Sequence, residues 1–290
     1  MRTIYRERLH RADPRLGRHV LHDSESRRFV FDTSSLTIQS VEHRRVLPIL
    51  NQLRVGKCTA EAALSVLGTE PYWSPSLMDR FANAFGSADD KGTDGLYSAE
   101  QNIDGDGPYP PNDNGSSGLT SAKACRAAGL ISGWTQVFSL DAFLRALTRY
   151  PISCGTVWYQ SMFHPDTSGV LTVDTKSGIA GGHQYECVGY NVGTDRLKFA
   201  NSWGTGWGDR GYFYMPVATF GALLAKQGDA TIFTPITQPA PVPTPAPVVP
   251  SAADIALNAA VGDWPDAHHI GRTAVVAHVL QTWRIAEGLE

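Results

Sequence analysis

Seven prolines crowd into the sixteen residues 235–250. Proline lacks an amide hydrogen and holds φ near −65°, so this stretch can enter neither a helix interior nor the middle of a sheet. It predicts a semi-rigid polyproline II spacer reaching roughly 50 Å, at about 3.1 Å per residue. The main core is therefore expected before residue 235, with 251–290 as a separate helical segment. Ser251 and Asp254 have the spacing of a helix start. Val276, Leu280 and Trp283 share one face of a second helix over about 266–287. A segment of this size builds little core alone. It is expected to dock on a protein partner, on a second copy of the chain, or on the main domain.

The bulk composition excludes several classes. A chain of 290 residues, 42% hydrophobic and 18% charged, suits a large globular protein. A net charge of −3 is too near neutral for nucleic acid or an anionic membrane to be the main partner. No apolar run approaches the roughly 20 residues needed to span a bilayer. The N-terminus MRTIYRERLHRADPRLGRHVLHD is basic but has no apolar run after its charges, so no signal peptide is predicted and the default location is cytoplasmic.

Cys58, Cys125, Cys154 and Cys187 show no metal-ligand spacing, and a chain of this size needs no disulfide framework. Neither a metal nor an organic cofactor is expected. Asn102, Asp104, Asp106 and Gly107 match the opening of a calcium loop. Position 12 is Asp113 rather than Glu, however, and Pro108, Pro110 and Pro111 oppose a following helix, so an Asp/Gly turn is the reading. His268, His269 and His278 read as solvated helix-face residues.

Periodicity divides the chain further. Residues 1–33 are a polar, Arg-rich extension with one short strand expected at Arg28–Phe31. A helix should begin at Cys58 and end at Gly68. Residues 86–118, dense in Gly, Asp, Asn, Ser and Pro, read as long loops. Helices follow at about 119–128 and 140–149. After Pro151 come short β runs at 152–158, 185–191, 197–201, 211–215 and 231–233. The expected fold class is α+β. A helical lobe over about 52–150 and an antiparallel, barrel-like β lobe over about 151–234 would form one domain, 34–234.

Four residues stand out within that frame. Cys58 can act as a nucleophile and His183 as its base, with Asn201 orienting the imidazole and Gln52 donating to an oxyanion. The first turn of a helix would help activate the thiol, and Lys57 beside it adds positive charge. Gln52 precedes Cys58 by six positions, and His183 and Asn201 follow it by 125 and 143. With the run Asn201-Ser202-Trp203-Gly204-Thr205-Gly206-Trp207-Gly208, this set resembles the papain-like (C1) cysteine peptidases over about 34–235.

The resemblance implies a two-lobed fold and hydrolysis of peptide bonds in a peptide or protein substrate through a thioester. It places Trp203 over the His–Asn bond and Gly115, Ser116 and Ser117 along the substrate backbone. Gly155 would lie near the pocket for the second residue before the scissile bond, and Gly182, next to His183, and Trp203 would also bind substrate. The run Val55-Gly56-Lys57-Cys58-Thr59 departs from the usual CGSCW and is similar to bacterial and phage members of the family that lack its disulfide. Residues 1–33 are too short for the long inhibitory prosegments of lysosomal relatives, yet long enough to lie in the cleft. The alternatives are an assembly or attachment protein on the same fold, in a virion for example, or a cell-wall peptide or isopeptide hydrolase using the same site.

Overall fold

In the computed structural model, residues 4–24 and 31–236 are described. The spacer from 237, the tail 251–290 and most of the expected strand at Arg28–Phe31 lie outside the described residues.

The described chain runs β1 (Ile4–Glu7), β2 (Val20–Asp23), β3 (Val41–Glu42), α1 (Cys58–Leu67), α2 (Pro75–Phe85), α3 (Gly92–Asp104), α4 (Gly118–Ala127), β4 (Gly133–Val137), α5 (Leu140–Leu147), β5 (Ile152–Tyr159), β6 (Ile179–Asn191), β7 (Arg196–Ala200), β8 (Tyr212–Pro216), α6 (Val217–Ala225) and β9 (Asp229–Thr234). The class is α+β. β4, β9, β5, β6, β7 and β8 follow one another across an antiparallel sheet, with β3 added on β6. Its path is open at both ends, so the described strands form a curved sheet rather than a closed barrel.

Two apolar clusters hold these layers. One lies among α1–α4 and includes Leu64, Phe81, Leu96 and Tyr97. The other packs the sheet under α5 and α6, where Phe143 and Phe220 have ring centroids 4.6 Å apart. Truncating Phe143, which is fully buried, should cost about 3–5 kcal/mol. Chemical denaturation of Phe143→Ala measures this.

α1 is buried along its whole length. Alanines at 60, 62 and 63 let it run close beneath β6, the strand that carries His183. This sets the helix start, and hence Cys58, against the middle of the sheet. Part of the expected loop region 86–118 is helical, namely α3. Its sequence GTDGLYSAEQNID has poor helix propensity. The buried Leu96, Tyr97, Glu100 and Gln101 stabilise it through packing instead.

The N-terminal extension, in which only a strand at Arg28–Phe31 was expected, also contains two strands before that point. β1 and β2 pair antiparallel, from Ile4 opposite Asp23 to Glu7 opposite Val20.

Candidate active site

Cys58 opens α1 and is wholly buried. Backbone amides of Gly17 and Gln184 hydrogen-bond its sulfur. Burial nevertheless pushes the thiol up to about 12, so the covered residue is a neutral thiol. Lys57 does not turn toward the sulfur. Its ammonium lies 2.8 Å from Asp94 and 3.2 Å from Glu61.

His183 sits in β6 opposite Thr156 of β5. Its Nε2 is 2.8 Å from Asn201 Oδ1. The same Oδ1 accepts the Ser202 amide at 2.8 Å, which fixes the orientation of the Asn201 side chain. Nε2 must then carry the hydrogen, and in the neutral ring Nδ1 keeps a free lone pair. Nδ1 has no hydrogen-bond partner. Burial draws His183 down to about 4, against the raising effect of the Asn201 bond. The Trp203 ring covers the imidazole at 4.8 Å and Trp158 meets it edge-on at 4.9 Å.

Gln52 is pinned by its oxygen. Oε1 accepts from Ser202 Oγ at 2.7 Å and from Trp203 Nε1 at 3.2 Å. Nε2 must therefore face the other way, where it donates to the carbonyls of Val55 at 2.7 Å and Arg15 at 2.9 Å. The segment before Cys58 is held by Asp113 and Tyr97, in a role that the sequence did not assign to either. Asp113 accepts the Gly56 amide at 3.1 Å and the Tyr97 hydroxyl at 2.7 Å, and that hydroxyl in turn accepts the Gly115 amide.

The N-terminal strap lies across this site. The Arg18 amide donates to Gly182 O at 3.1 Å, Ser116 donates to Gly17 O at 2.8 Å, and His19 donates to Ser116 O at 2.6 Å. Arg18 thereby runs parallel to Ser116. A Cβ on Gly17 would stand 1.8 Å from Gly56 O, and one on Gly182 would stand 2.3 Å from Arg18 O, so these contacts require glycine. The Arg15 guanidinium lies 4.2 Å over the Trp203 ring. Arg6 and Arg8 pair with Asp106, and Arg11 pairs with Asp113.

Of the ten expected site residues, Gln52, His183, Asn201 and Trp203 form one hydrogen-bonded and stacked cluster. Cys58, Gly115, Ser116 and Gly182 touch the strap. Gly155 lines a pocket occupied by the Arg18 side chain. Ser117 instead caps α4, its hydroxyl accepting the Thr120 amide at 3.0 Å. Among the described residues no cluster of three or more His, Cys, Asp or Glu could hold a metal ion. None of the helices there is long and apolar enough to cross a membrane.

Residues 83–225 match the family described as "Papain family cysteine protease", a range that contains His183 and Asn201. "Gamete and mating-type specific protein A" of Dictyostelium discoideum is 30% identical over 194 residues, which are 62% of this chain and 42% of that protein. "Cathepsin B-like cysteine proteinase 5" of Caenorhabditis elegans is 39% identical over 69 residues, 23% of this chain and 20% of that one. The chain thus spans less than half the length of either relative. In structure it is similar to xylellain, a cysteine protease from Xylella fastidiosa, with a TM-score of 0.58 at 18% identity over 81% of this chain and 100% of that one. It is also similar to digestive procathepsin L 3 from the Tenebrio molitor larval midgut, with a TM-score of 0.51 at 14% identity over 77% of each chain.

Proposed function

We propose that the chain, of which residues 83–225 match the papain family of cysteine proteases, is an endopeptidase whose chemistry is carried by Cys58, His183, Asn201 and Gln52. The observation that carries this reading is Gln52 holding the Arg15 carbonyl, which stands where a substrate carbonyl would be polarised.

In the proposed cycle, the Cys58 thiol gives its proton to Nδ1 of His183 as sulfur bonds to the substrate carbonyl carbon. The carbonyl π electrons move to oxygen, and the Gln52 amide stabilises that developing charge. Collapse breaks the C–N bond while the imidazolium passes its proton to the leaving amine, leaving a thioester. Water then gives a proton to His183 and attacks the thioester. The acid product departs and the proton returns to sulfur. Asn201 keeps the imidazole in the tautomer that this sequence needs. Substrates are peptides or proteins.

The strap makes the described form latent. It covers the sulfur, and its burial of Cys58 and His183 favours the neutral thiol and neutral imidazole. The sign of the pH dependence follows. An opened His183 binds a proton near its ordinary 6.5, whereas the covered one resists until about 4. Falling pH across that window therefore favours opening. An opened Cys58 loses its proton near 9, and the covered one holds it to about 12, so rising pH across that range also favours opening. Hydrogen exchange of the Arg18 and His19 amides, corrected for intrinsic rates, should be slowest at about pH 7–9 and accelerate on both sides.

The function is tested by treating the protein with an epoxysuccinyl thiol reagent, mapping the adduct and following hydrolysis of a peptide library. An adduct on Cys58 that abolishes turnover in proportion supports the reading. Turnover that survives full modification of Cys58 overturns it.

A further inference from the structure

The half-buried Asp90 lies in the turn between α2 and α3, outside the residues to which the chemistry is assigned above. It nevertheless touches the chain neighbours of two of them. Its Oδ1 accepts the Asn51 amide at 2.6 Å, one residue before Gln52. Its backbone carbonyl accepts from the Lys57 ammonium at 2.5 Å, one residue before Cys58. The Thr93 hydroxyl lies 2.7 Å both from that carbonyl and from Glu61 Oε1. Asp94 of α3 and Glu61 of α1 also hold the ammonium, so the turn is fastened to the start of α1.

We propose that Asp90 is a positioning residue for the reaction: its carboxylate keeps Gln52 in register with Cys58, so that the oxyanion donor and the nucleophile address the same carbonyl. The inference rests on the peptidase reading above and deepens it.

The need for such a clamp comes from how the two residues are held. Gln52 is bound to the segment that follows β7. Its backbone amide donates to Ser202 O at 2.9 Å, its Oε1 accepts from Ser202 and Trp203, and Asn51 bridges to Trp203. Cys58 instead belongs to α1. Between them the chain turns sharply at Leu53, whose φ of 56° is uncommon for a residue other than glycine. Leu53 is 67% exposed, so packing does not hold this turn. Polar groups hold it instead. Asn51 Oδ1 accepts the Leu53 amide at 3.1 Å, and Asp90 in turn accepts the Asn51 amide. A carboxylate acceptor makes this second bond charge-assisted and therefore stronger than a neutral one. The oxyanion must meet its donor at hydrogen-bond distance, so a small displacement of Gln52 relative to Cys58 forfeits much of the donor's effect. Asp90→Ala removes the carboxylate and spares the backbone carbonyl that Lys57 uses. It breaks the Gln52 side of the clamp alone.

The test compares steady-state kinetics of full chains carrying Gly17→Val, where a Cβ would stand 1.8 Å from Gly56 O and so lift the strap. Adding Asp90→Ala should lower kcat by about 10-fold and change KM by less than about 2-fold. Asp90→Asn keeps an oxygen for the Asn51 amide and should recover kcat to within about 3-fold of the parent. In a Gln52→Ala background, Asp90→Ala should change kcat by less than about 2-fold, because a residue that acts through Gln52 then has nothing to position. An Asp90 that only stabilises the fold would cost the same factor in both backgrounds. No change in kcat, or an equal loss with and without Gln52, overturns the proposal.

A second readout needs no turnover. The Gln52 backbone amide donates to Ser202 rather than to Asp90, so its hydrogen exchange reports how firmly Gln52 is seated. Asp90→Ala in the otherwise unsubstituted chain should speed that exchange at least about 10-fold and leave the Gly68 amide, at the other end of α1, unchanged. An unchanged Gln52 rate overturns the proposal. Faster exchange in a protein that, with Gly17→Val, neither hydrolyses peptides nor takes an adduct at Cys58 would sink the peptidase reading and leave Asp90 as the residue that seats Gln52.

Discussion

Gln52→Ala should lower kcat by about 10²–10³ while changing KM little, as expected for a donor whose bond tightens on the developing oxyanion. The side chain suits this because it cannot turn. Its oxygen is held by Ser202 and Trp203, so its NH2 is aimed into the cleft before any substrate arrives. Gln52→Glu should lose at least as much, since a carboxylate there repels the oxyanion and cannot donate. Steady-state kinetics on a strap-opened chain measures both. A substitution that raised KM alone would show that Gln52 only binds the ground state.

Gly17→Val should speed alkylation of Cys58 by iodoacetamide about 100-fold, equivalent to about 2.7 kcal/mol of strain released when the strap lifts. The reason is the approach of Gly17 to Gly56, where a Cβ would fall 1.8 Å from a carbonyl oxygen. Neither backbone can yield easily, because Asp113 ties Gly56 and the Ser116 amide ties Gly17. All four cysteines are buried, so background labelling is low and the modified residue reports its own exposure. Peptide mass mapping should show the gain at Cys58 alone. An unchanged rate would mean that the strap does not limit access.

The parts legible in the sequence are those written in local chemistry. α1 could be read from its run of good helix formers ending at Gly68, and the core strands from their apolar runs. Gln52, His183 and Asn201, which meet around Ser202 and Trp203, could be singled out from their motifs and spacing, and so could Cys58 as the proposed nucleophile. α3 could not, because two glycines and two aspartates mask a helix that packing with α1 and α4 sustains. Residues 1–33 were read as long enough to lie in the cleft, but the contacts that seat them there were not legible, for a related reason. An Arg-rich segment reads as solvated, and nothing local says that Arg18 will meet Asp229, 211 positions away. The roles of Tyr97 and Asp113 in holding both Gly56 and Gly115 are likewise products of tertiary structure, without a sequence signal of their own.

The strap is part of the same polypeptide as the site it covers. A tethered ligand of this kind acts at an effective concentration of about millimolar, whatever the protein concentration. A substrate present at micromolar levels therefore competes poorly even if its intrinsic affinity equals that of the strap. Cutting the chain between β2 and β3 changes this regime. The same contacts then belong to a separate peptide, whose hold weakens with dilution. A single cleavage there would convert a permanent occupant of the cleft into an inhibitor that can be washed away.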